Sequence, residues 1–371
     1  MGGGEARPVT WAAAHRPHMS RVRDWFLLFR PWSYTATLVP FLMGGALACR
    51  VNPHCHAHAL LRWSLGLFSG ILFQATVNLL NTWGDERSGV DAVPGAIRTT
   101  PQVHEGKVSM RALFSVAACC LVVAVALGVS LCFYENPPWA YRYREMPPEE
   151  PGWAFCWTLL LAGILGALGS VNYSTGIKFK YHGLGVPFVS FLMGPLEILV
   201  AFAIAVPMLA DRTLGRVAVC AASHFPVGMF DALAWAAGGL LMVAPIALLV
   251  GVIMHGNDMR DIPTDRAAGI VTLASWMGPR RALIYYCFCH VAPYVVTAAL
   301  AVLHWHQRGA AGAAFMLPCA ALPISVFTMR RALGVYRANP VSPAWRGLER
   351  TSGLAHLVFG TLYAAAWFFL W

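Results

Sequence analysis

The sequence predicts an all-α polytopic membrane protein with nine transmembrane helices, and three observations carry the prediction. Of its 371 residues 58% are hydrophobic and only 12% charged, more apolar material than the core of a soluble domain uses. The apolar residues gather into stretches of roughly 20, enough to cross about 30 Å of hydrocarbon. None of these stretches alternates with the period of two that a membrane strand requires, and a helix satisfies its own backbone where lipid cannot.

Taken in order, residues 1–29 lack the apolar core of a secretory signal and are read as an N-terminal cytosolic segment. Gly2 is not followed at position 6 by the Ser or Thr that myristoylation needs, because Ala6 stands there. The first span, 30–50, serves as the insertion signal. A short loop with His54, Cys55, His56 and His58 follows; these are ligand-type residues, read as a connector and not as a zinc site. The second span, 59–82, runs into an acidic cluster, and the third, 109–134, into a Pro- and acid-rich loop over 135–152. The fourth, 153–175, ends at Tyr173, and the fifth, 184–209, contains Glu197, an ionisable residue at membrane depth and so a functional candidate. The sixth, 229–254, leads into a second acidic cluster, and 281–303, 309–327 and 353–371 complete the set. No soluble insertion interrupts 30–371, which reads as one domain. The 10 cysteines are scattered without a CxxC pair and read as packing thiols.

The net charge of +10 is informative through its placement. Most of the 27 Lys and Arg residues fall in the N-terminus and in the loops after spans 2, 4, 6 and 8. By the positive-inside rule that face is cytosolic, and it carries both acidic clusters. The cations are spread over loops and helix ends instead of forming one patch, which argues against nucleic acid as a partner.

The chemistry concentrates in the two clusters. Asn81-Thr-Trp-Gly84-Asp85-Glu86 continues through Gly89 to Asp91; Asn257-Asp258-Met-Arg260-Asp261 continues through Pro263 to Asp265-Arg266. Asn81 and Asp85 are four apart, as are Asn257 and Asp261, so each pair lies on one helical face and can bind one metal. Gly84 and Gly89 loosen the chain before Asp91, and Pro263 is expected to stop or kink its helix, so that Asp265 folds back over the site from a bent segment. Oxygen ligands of this kind suit Mg2+, which is held by one or two carboxylates together with substrate phosphate oxygens. Arg98, Lys178, Lys180, Arg260 and Arg266 share the predicted face and would complete a diphosphate clamp. Asp258, Glu86 and Glu105 read as supporting or solvated groups, and Tyr173 as either an interfacial aromatic or a site residue. The repeated Asn-xxx-Asp arrangement suggests two related helical halves meeting at one cavity.

At these residues the chain resembles the UbiA superfamily of intramembrane prenyltransferases, most nearly its menaquinone-forming branch and animal members. NTWGDERSGVD is similar to that branch's NxxxDxxxGxD element, NDMRDIPTDRAAGIVTLASWMGP to its second aspartate motif, and Tyr173-Ser-Thr-Gly-Ile-Lys178-Phe-Lys180-Tyr181 to its central loop. The opening helix begins Phe29-Arg30-Pro31-Trp32-Ser33. The resemblance implies nine helices around a central lateral cavity with a cytosol-facing polar cap, an endomembrane location, and Mg2+-dependent transfer from an isoprenyl diphosphate such as geranylgeranyl diphosphate. It implies a metal and catalytic set of Asn81, Asp85, Asp91, Asn257, Asp261 and Asp265. Asn78, Arg98, Tyr173, Lys180 and Arg260 match positions associated with the substrate. Gly95-Ala96 before Arg98, and Val186, depart from acids common at those places. The implied acceptor is a naphthoquinol or dihydroxynaphthoate, although the residue pattern alone is equally compatible with hydroxybenzoate, homogentisate or a haem precursor. A prenyl-lipid or sterol-sensing binding protein is the alternative without chemistry. A transporter is disfavoured, since both clusters lie at one face and a permeation path needs polar groups near the midplane.

Overall fold

The computed structural model describes residues 22–51, 57–89, 100–133, 152–205, 229–338 and 347–369, and apart from one isolated β-bridge its regular elements are helical. A short helix α1 (Val22–Phe29) precedes a 3-10 turn at Pro31–Ser33, which Arg30 enters in the left-handed region with φ 51°. The membrane-type helices follow as α2 (Thr35–Val51), α3 (Ala57–Ser88), α4 (Met110–Phe133), α5 (Gly152–Asn172) and α6 (Gly185–Ala205). After them come α7 (Met229–Ala267), α8 (Leu273–Arg308), a 3-10 segment Gly309–Ala321, α9 (Leu322–Ala338) and α10 (Leu348–Phe369).

Six described stretches are long and apolar enough to cross a membrane: Ala59–Ser88, Met110–Cys132, Gly185–Ala205, Gly239–Ala267, Leu273–Ala338 and Leu348–Phe369. Thr35–Cys49 and Leu159–Asn172 are shorter apolar helices. The stretch Leu273–Ala338 doubles back, since both the 3-10 segment and α9 pack against α8. Large apolar side chains such as Phe114, Val122 and Val129 on α4 project outward, as lipid-facing positions should. Polar residues inside the bundle find helix carbonyls, as Thr76 does at Leu72 and Ser170 at Gly166.

The helices close into a ring. α3 packs on α4, α4 on α5, α6 on both α2 and α7, α7 on α8, and α10 returns to α2. The main core joins Val39 and Met43 of α2 to Ile246 and Leu249 of α7, Tyr286 of α8, Phe315 and Phe359. A second core seats Leu28 of α1 on Leu79, Leu80 and Leu113. Between α2, α3, α4, α5, α6 and α7 lies a cavity of about 180 Å3, with Arg30, Asn78, Tyr173 and Asn257 at one end and Phe41, Leu131, Leu159 and Ile204 deeper in its wall.

Several expectations are revised. The helix does not stop at Pro263: α7 runs unbroken to Ala267, so Asp265 stands on the same helix as Asn257 and Asp261. Pro263 has no N–H to give the Met259 carbonyl, yet the helix persists through it, a proline being tolerable in a membrane helix; beside it Thr264 Oγ1 donates to the Asp261 carbonyl and Thr272 Oγ1 to Asp265, each at 2.9 Å. The span expected at 309–327 is instead a 3-10 segment followed by α9, and Gly312 lets that segment lie close against the His304–Trp305 backbone at the end of α8. α8 begins earlier than expected, at Leu273, with a break at Gly278 (φ 75°) before Pro279. The fifth span carries a π turn at Leu192–Leu196 around Pro195. Gly84 does not loosen α3: it admits close approach, since a Cβ there would stand 2.7 Å from the Ser174 carbonyl oxygen. Gly89, by contrast, follows the helix end with φ 76°. The His54–Cys55–His56 run, most of the loop 135–152, and Gly95-Ala96 lie outside the described residues.

Candidate active site

Both acidic clusters are helix ends, and the chain between α5 and α6 joins them. Asn78, Asn81 and Asp85 occupy one face of α3 because helix α3 persists to Ser88; Asn257, Asp261 and Asp265 occupy one face of α7. The connecting chain leaves α5 through a turn that requires glycine: Gly176 has φ 53° and a Cβ there would lie 2.4 Å from Asn172 Oδ1. Lys178 is also left-handed, with φ 58°, and the turn that follows presents Lys180 and Tyr181 to the first cluster. The same chain pairs with the turn after α7 through a parallel bridge between His182 and Val271, where Val271 N donates to the Tyr181 carbonyl at 3.3 Å.

Lys180 is the centre of the arrangement. Its Nζ donates to Asn81 Oδ1 and to both oxygens of Asp85, each at 3.1 Å. Tyr181 OH donates to Asp85 Oδ1 at 2.6 Å, and Ser174 Oγ donates to Asn81 Oδ1 at 2.7 Å. Burial penalises the Lys180 ammonium, yet the field of the Asp85 carboxylate, with Asp265 adding to it, outweighs that penalty and holds the lysine above its ordinary value. Asp265 of the second cluster therefore acts on the same cation as Asp85 of the first. Burial first, and the Asp85 carboxylate next, push the Tyr181 phenol up, so it is a neutral donor.

In the second cluster Arg260 grips Asp261 with two parallel bonds, Nε to Oδ1 at 2.7 Å and Nη2 to Oδ2 at 2.6 Å, and its Nη1 reaches Asn257 Oδ1 at 3.2 Å. Thr272 Oγ1 donates to Asp265 Oδ2 at 2.9 Å while accepting from Ser275 N as the N-cap of α8. Tyr173 is buried at the cavity mouth with its hydroxyl lacking a partner; burial and the nearby Asp258 raise its pKa, so the phenol stays protonated.

The structure thus joins Asn81, Asp85 and Lys180 in one bonded group and Asn257, Arg260 and Asp261 in another, with Asp265 acting on Lys180 and Asn257 lining the cavity. Asn78 acts as a strap, its Nδ2 donating to the Phe29 carbonyl and to Ser33 Oγ, each at 2.9 Å. Arg266 is exposed and donates to the Ser275 carbonyl at 3.1 Å, closing the α7–α8 turn, and Lys178 lies over the Tyr181 ring at 5.6 Å. Neither makes a described bond to an acidic residue. Asp91 and Arg98 lie outside the described residues. Val186 is fully buried and packs toward Gly251 of α7. Sequence reasoning did not select Ser174, Tyr181 or Thr272 as site residues; the first two flank Lys180 in the central loop it quoted, while Thr272 carries only the signal of an N-cap before an apolar helix.

The donors present are amide and carboxylate oxygens, the chemistry that Mg2+ takes. Each carboxylate oxygen offers two lone pairs, so the bonds to Lys180 and Arg260 leave acceptor capacity. Among the described residues no three Asp, Glu, His or Cys side chains form a closed cage.

A model of the UbiA prenyltransferase family matches residues 37–334. The chain belongs to the UbiA prenyltransferase family. As a UbiA-family member it is a multi-pass membrane prenyltransferase. Human UbiA prenyltransferase domain-containing protein 1 is 28% identical over 353 residues, covering 95% of this chain and 87% of the human protein. The fold matches a UbiA homologue from Archaeoglobus fulgidus bound to GPP and Mg2+, with TM-score 0.50 and 17% identity over 93% of this chain and 99% of that one. It also matches an apo UbiA homologue from Aeropyrum pernix K1, with TM-score 0.51 and 14% identity over 90% and 96% of the two chains.

Proposed function

We propose that this UbiA-family enzyme uses Mg2+ to transfer an isoprenyl group from an isoprenyl diphosphate to a naphthoquinol or dihydroxynaphthoate, as in menaquinone (vitamin K2) synthesis. The observation that carries the reading is the meeting of both Asn-xxx-Asp helix ends around Lys180 at the mouth of a largely apolar cavity. The archaeal homologue of this fold binds GPP and Mg2+, which supports the same ligand class here. A geranylgeranyl-length donor and an endomembrane location complete the proposal, as the family resemblance of the sequence motifs implies.

Asn81, Asp85, Asp91, Asn257, Asp261 and Asp265 would hold Mg2+, which when bound neutralises charge on the departing diphosphate. Lys180 and Arg260 would meet the same group as cations, with Lys178 and Arg266 at its rim, and Arg98 is assigned to it from the sequence motif alone. Lys180 and Tyr181 hold Asp85, and Arg260 holds Asp261, so the oxygens are oriented before substrate arrives and little reorganisation accompanies C–O cleavage. The apolar wall below excludes water from the allylic cation, and an electron-rich ring then attacks it. Nine spans are proposed from the six long stretches, the shorter α2 and α5, and the doubling back at α9. The domain is 30–371, with 1–29 and the polar cap facing the cytosol.

Purified protein is incubated with geranylgeranyl diphosphate and menadiol, dihydroxynaphthoate or hydroxybenzoate, with and without Mg2+. Mg2+-dependent prenylation of a naphthalene acceptor is expected. Transfer to hydroxybenzoate alone would replace the acceptor assignment, and no transfer to any acceptor would overturn the reading.

A further inference from the structure

The cavity wall is mostly apolar, and among its polar residues Asn78, Ser33, Gln74 and Glu197 form one stripe. Asn78 bonds Ser33 Oγ, and Gln74 Nε2 reaches the same oxygen at 3.4 Å. Four residues on from Ser33, past the 3-10 turn and into α2, Thr37 Oγ1 donates to Glu197 Oε1 at 3.3 Å. Two buried oxygens on this stripe, Gln74 Oε1 and Glu197 Oε2, have no partner. Ser33, Gln74 and Glu197 all line the cavity, and Glu197 follows directly on the π turn of α6. Around Glu197 the lining is Leu196, Val200 and Ile204 from its own helix and Phe41 opposite.

An isoprenyl tail has no heteroatom and offers nothing to these oxygens. Buried polar groups left unpaired are costly, and an acid at membrane depth is retained where it has work to do. The two levels of the stripe are Ser33 with Gln74 and Thr37 with Glu197. A para-dioxygenated ring carries its two oxygens at opposite ends, so one oxygen can meet each level. We infer that this stripe is the acceptor subsite, with Gln74 and Ser33 taking the oxygen nearer the reacting carbon and Glu197, positioned by Thr37, taking the distal hydroxyl of a para-quinol. The inference rests on the proposed aromatic prenyl transfer and names the feature of the acceptor that the cavity reads.

The test compares menadiol with 1-naphthol, which lacks the distal oxygen, using geranylgeranyl diphosphate as donor. In Glu197→Leu the KM for menadiol should rise about tenfold while the KM for the diphosphate and the turnover of 1-naphthol stay within about twofold. Glu197→Gln, which keeps an oxygen and a donor, should retain menadiol selectivity. Thr37→Val supplies a second route and should shift the menadiol-to-1-naphthol ratio in the same direction, even if Glu197→Leu fails to fold. An unchanged ratio in the folded variants, or an equal rise in the diphosphate KM, overturns the inference and leaves the prenyltransferase reading standing. Failure of the wild-type protein to prenylate either naphthol strikes at that reading instead.

Discussion

Replacement of Lys180 by Met keeps the length of the side chain and removes the charge on which both clusters converge. Its Nζ makes three contacts of 3.1 Å, and the Lys180 and Asp85 side chains are only 15% and 13% exposed. At that distance and an effective dielectric of 20 the pair attracts by about 5 kcal/mol, against which stands the cost of burying an ammonium. Stripping one partner from a buried pair typically costs about 3–5 kcal/mol, and with Tyr181 still donating to Asp85 the lower end, about 3 kcal/mol, is expected. The assay is thermal unfolding in detergent, run beside the KM for geranylgeranyl diphosphate. Lys180→Met should melt several degrees lower and bind the diphosphate more weakly, Lys180→Arg should recover part of both, and Lys180→Met with Asp85→Asn should recover stability without activity.

The pH dependence follows from the raised Lys180 pKa. A lysine held above its unfolded value contributes stability that is complete below about pH 10.4 and is lost as pH rises through the higher folded value. Lys180 ionisation should therefore add no slope to the wild-type stability curve between about pH 6 and 9. Unchanged melting together with an unchanged diphosphate KM in Lys180→Met would refute the central role given to this cation.

Two further outcomes are expected. Asp85→Ala and Asp261→Ala should each lower kcat by about 10^2–10^3-fold at saturating Mg2+ while the protein remains folded by size-exclusion chromatography; substantial retained turnover would exclude the clamp. Tyr181→Phe removes a 2.6 Å bond to a carboxylate and should lower kcat/KM for the diphosphate by roughly tenfold, about 1.4 kcal/mol; because the phenol is held neutral, the wild-type rate profile should show no phenolate limb up to about pH 10.

The acidic ends were legible because a helical period forces i and i+4 onto one face wherever the helix continues, and both helices do continue. Asp265 was misplaced because Pro263 carries a strong local prior against helix, and nothing local announces that the helix continues through it to Ala267. Glu197 was visible as an acid among apolar residues, but its partner Thr37 is 160 positions away in the chain. Tyr181 and Ser174 sat in view beside Lys180, yet neither has a residue type that signals a ligand or a base by itself.

Composition and apolar run length determined by themselves that this chain lives in a membrane as helices, because lipid forbids unpaired backbone and each run meets the thickness requirement alone. The Asn and Asp residues likewise determined an oxygen-donor site at one end of the helices. Only the tertiary structure decided that Lys180 stands between the two clusters, that Arg260 holds Asp261, and that a polar stripe descends the cavity from Ser33 to Glu197. The Lys180–Asp85 and Thr37–Glu197 contacts join residues 95 and 160 positions apart, set by which helices close the ring, while Arg260 and Asp261 are neighbours whose shared orientation the helix fixes; a local pattern holds no record of distant partners.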